Sequence, residues 1–240
     1  MTTRRRRKGC SRLARSRRTA TERRGYIVGV IASAADLRFA LRMKQPPHLF
    51  ELRLDCLSKV VNRLERKIDN LRAPVIITAR DPREGGRGNL SLEKRRELLS
   101  RFLPRAKYVD LELRSARAFK SLLAEARKRN VRVILSFHDF RSTPSTRSLH
   151  ATAARAKKYG ADIFKVATRT NQPSELGRLV DFITHKDVDL PISAMGIGKL
   201  GAFSRLLLAR CGSMLNYASL QQSVVEGQLS IELLRSSLPR

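Results

Sequence analysis

A lysine at position 165 and a histidine at position 138 each sit in a short apolar run, Asp162 to Thr168 and Val131 to His138. A primary amine can serve as a covalent catalyst and an imidazole as a proton carrier. Three more runs carry ionisable groups: Glu51, Arg53 and Asp55, then Arg80, then Asp110 and Glu112. Successive residues of a strand point to opposite faces, so parity decides which side chains share a side. In Asp162 to Thr168, Phe164 and Val166 suit a face packed under helices, which leaves Ile163, Lys165 and Ala167 on the other. In Val131 to His138, the apolar Val133, Leu135 and Phe137 separate in the same way from Ile134, Ser136 and His138. Phe50, Leu52 and Leu54 turn outward and Glu51, Arg53 and Asp55 inward; Ile76, Thr78 and Arg80 share an inner face, as do Tyr108, Asp110 and Glu112.

Buried charges are costly unless paired, so five strands sending ionisable groups into one interior point to a polar active site. Plainer readings stand beside this one. Lys165 could be a structural ion pair with Asp110 or Glu112, His138 a satisfied core residue, and Glu51, Arg53 and Asp55 an ion-pair ladder.

The elements that would position these groups alternate along the chain. Eight short runs read as strands: Tyr26 to Ala32, Leu49 to Leu54, Pro74 to Arg80, Tyr108 to Leu113, Val131 to His138, Asp162 to Thr168, Pro191 to Met195 and Ser213 to Tyr217. Between them lie stretches with helical apolar spacing, such as Leu90 to Leu103, Ala116 to Arg129 and Ser174 to His185. Repeated βα units in a chain of 240 residues predict an α/β protein, a single (β/α)8 TIM barrel, over an open doubly wound sheet. No linker divides the body, so the expected organisation is a basic arm over residues 1–24 and a barrel over residues 25–240.

The net charge of +29 is unevenly spread: residues 1–24 hold +10, leaving +19 for the rest. That arm has too little apolar content to fold alone and is expected to be disordered, with weak contact to polyanions through counterion release. It lacks the apolar core of a secretory signal and shows no amphipathic stripe, which argues against an organelle presequence. The longest apolar stretches, Tyr26 to Ala32 and Leu206 to Ala209, are too short to cross a membrane. Cys10, Cys56 and Cys211 have neither metal-ligand nor disulfide spacing, which suits a reducing, cytoplasmic setting. The oligomeric state is not legible; a homodimer is entertained.

Seven short motifs in order resemble those of type I 3-dehydroquinate dehydratase. They are Glu51-Leu52-Arg53-Leu54-Asp55; Thr78-Ala79-Arg80 with Glu84-Gly85-Gly86; Ser136 to Phe140; Asp162 to Ala167; Gly201 to Arg205; Gly212-Ser213; and Gly227-Gln228. The resemblance runs from about Tyr26 to Leu234 and omits the arm. It implies dehydration of the small anion 3-dehydroquinate to 3-dehydroshikimate, in the shikimate pathway of aromatic amino acid biosynthesis, without metal or organic cofactor. Lys165 would form the imine, in a cavity crowded with cations that hold its amine uncharged. His138 would move the proton and Glu84 would orient His138. Arg205 would hold the substrate carboxylate; Glu51, Arg53 and Arg80 would meet its hydroxyls and the other charges; Gln228 would reach in from a closing loop. Gly85 and Gly86 read as turn residues, not a phosphate cradle.

The lid departs from the family's usual Ser-Ala-Pro-Gly-Gln. Here Val224-Val225-Glu226-Gly227-Gln228 lacks the hydroxyl, for which Ser223 is the nearest substitute. Glu226 in the place of proline is expected to loosen the loop and set a negative charge beside an anionic substrate. Three alternatives stay open. Another imine-forming barrel lyase or aldolase would keep Lys165 without needing Arg80, Glu84 and Arg205. A polyanion-binding protein would act through the arm. A weakened relative would reflect Val224.

Overall fold

The computed structural model describes residues 25–185, 187–223 and 225–238. The basic arm and Val224 lie outside them. From Gly25 onward each apolar run becomes a short parallel strand and most of the intervening segments become helices. The order is β1 (Tyr26–Ile31), α1 (Ala34–Arg42), β2 (Leu49–Arg53), the short α2 (Leu54–Leu57) and α3 (Val61–Glu65), then β3 (Val75–Thr78) and α4 (Leu92–Phe102). It continues with β4 (Tyr108–Glu112), α5 (Lys120–Lys128), β5 (Arg132–Asp139), α6 (Thr146–Lys158), β6 (Ile163–Arg169), α7 (Pro173–Thr184), β7 (Ile192–Ile197), α8 (Gly201–Arg210), β8 (Leu215–Ser219) and α9 (Ile231–Ser237). This is the (β/α)8 barrel expected from the sequence, with strand ends shifted by a residue or two.

The strands pair in the order β7-β6-β5-β4-β3-β2-β1-β8. No ladder joins β7 to β8. The gap is bridged by the Met214 N–H donating to the Ile192 carbonyl at 2.8 Å, by Ser193 Oγ donating to the Leu215 carbonyl at 2.6 Å, and by Ser213 Oγ accepting the Ala194 N–H at 3.1 Å.

Parity sorts the apolar side chains into two cores. Phe50, Leu52, Ile77, Val109, Leu111, Val133, Leu135, Phe164 and Val166 pack outward against the helices. Val28, Val30, Leu49, Ile76, Tyr108, Ile134 and Ile163 fill the interior. Phe164 meets Phe182 of α7 edge-on at 6.2 Å, a pair worth roughly 1 kcal/mol beyond its burial. That contact fixes the outer face of β6, so the next side chain, Lys165, must enter the barrel.

The helices start where capping chemistry permits. Ser91 accepts the Lys94 N–H at the start of α4 and Ser145 the Ser148 N–H at the start of α6. Gln172 and Glu175 form a reciprocal capping box on α7, with Pro173 in the first turn, where its missing N–H is not needed.

Candidate active site

Lys165 is 4% exposed, at the wall of a cavity of about 240 Å³. The cavity also reaches Glu51, Arg53, Arg80, Glu84, His138, Arg205 and Gln228. Eight of the nine expected site residues therefore converge on one space. The ninth does not: Ser223 is exposed, and its hydroxyl donates to the Val225 carbonyl at 2.7 Å within the loop. A tight local hydrogen bond holds that side chain away from the cavity, and Val225 lines it instead.

The surroundings of the amine differ from the expected crowd of cations. Lys165 Nζ donates to Asp110 Oδ2 at 2.9 Å and to Glu51 Oε1 at 3.3 Å. It also lies 3.9 Å from the centroid of the Tyr217 ring. Strand parity brought carboxylates from β2 and β4 to the level of the amine, because a cation taken out of water requires partners. Arg80 sits behind them, donating to Asp110, Glu112 and Ser136. Burial pulls the Arg80 pKa down, but Asp110 and Glu112 overcome it and hold the guanidinium charged. Asp110 is held well below the usual carboxylate range, its burial outweighed by Arg80 and Lys165.

Glu112 is tied from the far side by Arg95 of α4, which also donates to Asp81 at 3.0 Å and to the Ala79 carbonyl at 2.7 Å. Arg95 is 2% exposed, though it lies in the charged run Lys94-Arg95-Arg96 and reads as a surface residue in the sequence. Arg53 faces the cavity while gripping Asp55 through two bonds, 3.0 and 2.8 Å. Asp55 is not on the strand face where parity set it, since β2 ends at Arg53 and the chain turns into α2. It is buried there, accepting the backbone N–H groups of Arg80 and Arg87.

His138 Nδ1 lies 3.0 Å from Glu84 Oε2, and the same oxygen accepts the His138 backbone N–H at 3.0 Å. Burial, then the charges of Arg80 and Lys165, push the imidazole pKa well below its usual value, so the ring is neutral near pH 7. Burial and the Glu112 carboxylate push Glu84 up to about 7. The turn Pro82–Glu84 that presents it ends at Gly85, whose φ of +84° and contact with Phe140 leave no room for a side chain.

Arg205, on α8, is 5% exposed and, among the described residues, has no carboxylate beside it. Its Nη1 reaches only the Tyr217 carbonyl at 3.2 Å and Met195 Sδ at 3.5 Å, and its Nε has no partner. Burial alone brings its pKa down to about 10, so it remains a cation. Among the described residues, no carboxylate pairs with this guanidinium.

The lid is tethered where a loosened loop was expected. The Glu226 carboxylate accepts from Arg169 Nη1 at 2.8 Å, and its carbonyl accepts the Gly198 N–H. Gly227, at φ +79°, lies so close to Gly201 at the start of α8 that a Cβ would come within 2.7 Å of the Gly201 Cα. The Glu226 charge is directed at Arg169, a cation that balances it. Sequence reasoning set Asp110 inside the barrel and offered it, with Glu112, as an ion-pair partner of Lys165, a pairing the structure shows for Asp110; it passed over Tyr217. The same parity count on β8 sends Leu215, Tyr217 and Ser219 inward and would have found it. Among the described residues no cluster suits a metal ion, and no helix is long and apolar enough to cross a membrane.

The pattern of a family described as Type I 3-dehydroquinase matches residues 31–239. A 3-dehydroquinate dehydratase from Pyrococcus abyssi is 36% identical over 189 residues, 78% of this chain and 84% of the relative. One from Thermococcus gammatolerans is 35% identical over 192 residues, 79% and 86% of the two chains. The crystal structure of 3-dehydroquinate dehydratase from Geobacillus kaustophilus superposes with a TM-score of 0.80 at 28% identity, covering 89% of this chain and 90% of that one.

Proposed function

The chain belongs to the type I 3-dehydroquinase family, and from that premise we propose how its own residues dehydrate 3-dehydroquinate to 3-dehydroshikimate through a Schiff base. The observation that carries the assignment is one cavity lined by a buried primary amine, a neutral imidazole and a guanidinium without a carboxylate.

The Arg205 guanidinium takes the substrate carboxylate, replacing weak contacts to a carbonyl and a thioether with charge-assisted bonds. Lys165 gives up a proton and its nitrogen adds to the substrate ketone; loss of water leaves a protonated imine. That cation withdraws electrons from the adjacent carbon. His138 removes a proton there through Nε2, while Nδ1–H donates to Glu84. The resulting enamine expels the hydroxyl, which receives the same proton from His138 and departs as water. Hydrolysis of the conjugated imine releases product and restores the amine.

Glu51 and Asp110 set the position of Lys165, and Arg80 holds Asp110 and Glu112 in place for them. Arg53, Glu51 and Arg80 face the substrate hydroxyls, and Gln228 closes over it from the lid. An aldolase-type reading explains Lys165 but gives no work to the Glu84–His138 pair or to Arg205. Borohydride reduction in the presence of dehydroquinate, followed by mass spectrometry, should find a substrate-sized adduct on Lys165; an unmodified Lys165 defeats the mechanism.

We take residues 25–240, by the division read from the sequence, as the catalytic domain and residues 1–24 as a basic arm. Its eleven Lys and Arg against one Glu support weak polyanion contact, tested by salt-dependent retention that disappears on deleting residues 1–24. A cytoplasmic setting is supported by Cys56 and Cys211, half-buried and free. A homodimer is tested by sedimentation.

A further inference from the structure

The reaction proposed above changes the charge on one nitrogen, and the partners of that nitrogen respond differently. As an ammonium, Lys165 has three hydrogens, and two are directed at Asp110 and Glu51. In the protonated imine the nitrogen is cationic again, yet it is bonded to two carbons and keeps one hydrogen. It can then serve one carboxylate by a direct bond, not both. An aromatic face attracts a cation through its quadrupole and requires no hydrogen aimed at it.

Resting on that imine reading, we propose that Tyr217 is a catalytic residue, whose ring face holds the positive charge on the Lys165 nitrogen through the protonated imine. The ring centroid is already 3.9 Å from Nζ, and Tyr217 is 4% exposed, so little water screens the pair. The contact lies on the wall of the same cavity that admits substrate.

Hydrogen bonding does not explain why a tyrosine stands there. Its hydroxyl is buried without a partner. Tyr108, the other buried tyrosine among the described residues, accepts a bond from Arg132 instead. Burial, with Glu51 and Asp110 close by, pushes the Tyr217 pKa well above that of an ordinary phenol. The ring therefore stays neutral and keeps the quadrupole that a cation needs. The residue also touches the substrate holder, because its carbonyl accepts from Arg205 at 3.2 Å. One side chain and its own peptide thus meet both the covalent nitrogen and the guanidinium proposed to grip the carboxylate.

The test is a ring series in the full chain: Tyr217→Phe as reference, then the same position carrying one, two and three ring fluorines, which drain the aromatic face with little change in shape. The adduct trapped by borohydride on Lys165 and kcat should fall stepwise, by roughly ten- to thirty-fold across the series, with a smaller change in KM and an unchanged thermal midpoint. Tyr217→Leu, which removes the face, should lie at or below the end of the series. A series flat in both adduct and kcat overturns the role of Tyr217. Absence of any adduct in the unsubstituted protein would instead strike the imine reading, so the two failures are told apart.

Discussion

Oε2 of Glu84 meets both Nδ1 and the backbone N–H of His138, each at 3.0 Å, so one carboxylate oxygen fixes the ring and the strand that carries it. When Glu84 is ionised, Nδ1 carries the hydrogen and Nε2 presents a lone pair to the cavity. When Glu84 is protonated, it donates to Nδ1, the hydrogen moves to Nε2, and the base is blocked. Burial sets that switch at about 7 on Glu84, while His138 itself titrates well below the usual range. We therefore predict that kcat/KM rises with pH through about 7, and that Glu84→Gln loses this limb and much of the rate. A limb unchanged in the variant would assign it to another group.

Replacing Lys165 by methionine keeps the volume and removes the nucleophile. Turnover should vanish, with no adduct on reduction. His138→Ala should still form an adduct, with kcat lower by about 10²–10⁴, the usual contribution of a positioned acid-base group. Equal loss of adduct in both variants would show that His138 is needed before the imine forms.

Asp110 offers a stability test with a definite sign. Its pKa is depressed in the fold by Arg80 and Lys165, against the effect of burial. The stability it contributes is complete above the unfolded carboxylate value of 3.8 and is lost as the pH falls below it. Asp110→Asn leaves two buried cations short of an anion and should cost about 3–5 kcal/mol. Urea titrations at pH 7 and pH 3 measure both effects, and the gap between the two proteins should narrow at the lower pH.

Arg205 predicts opposite changes in binding and in stability. Its buried Nε has no partner, so Arg205→Met removes an uncompensated polar group, and the empty protein should unfold at a higher temperature. The same change removes the carboxylate holder and should raise KM by roughly ten- to hundred-fold, the range for charge-assisted bonds. A lower melting temperature with unaltered KM would make Arg205 purely structural.

The lid tether between Glu226 and Arg169 is partly exposed, so its effect on global stability is expected to be at most about 1 kcal/mol. Glu226→Gln should leave the thermal midpoint nearly fixed and raise KM, more at low salt than at high. No change in KM at any ionic strength would mean that lid closure does not depend on the pair.

The barrel and much of the cavity were legible because both rest on short periods. Alternation placed Lys165, His138, Glu51, Arg80 and Asp110 inside, and they are inside. What was hidden depends on contacts that no local period encodes. Asp55 left the parity count because β2 ends at Arg53, one residue before its apolar run does, and the chain turns into α2. Ser223 follows a loop whose register is set by its own hydrogen bond. Arg95 looks like part of a solvated run until Glu112 and Asp81, from other segments, claim it. Parity let Asp110 be offered as a partner of the Lys165 amine, but Glu51, from a strand 114 residues away, was read only as part of a ladder with Arg53 and Asp55 and as a contact for the substrate.

The junction between β7 and β8, closed by separate hydrogen bonds and no ladder, gives the cavity a mechanical character. Lys165 stands on β6, one strand in from it, Tyr217 on β8 at its edge, and Arg205 reaches the Tyr217 carbonyl from α8, the helix that joins β7 to β8. These groups are stitches as well as reagents: a hoop split at that stave would part the amine from its aromatic face.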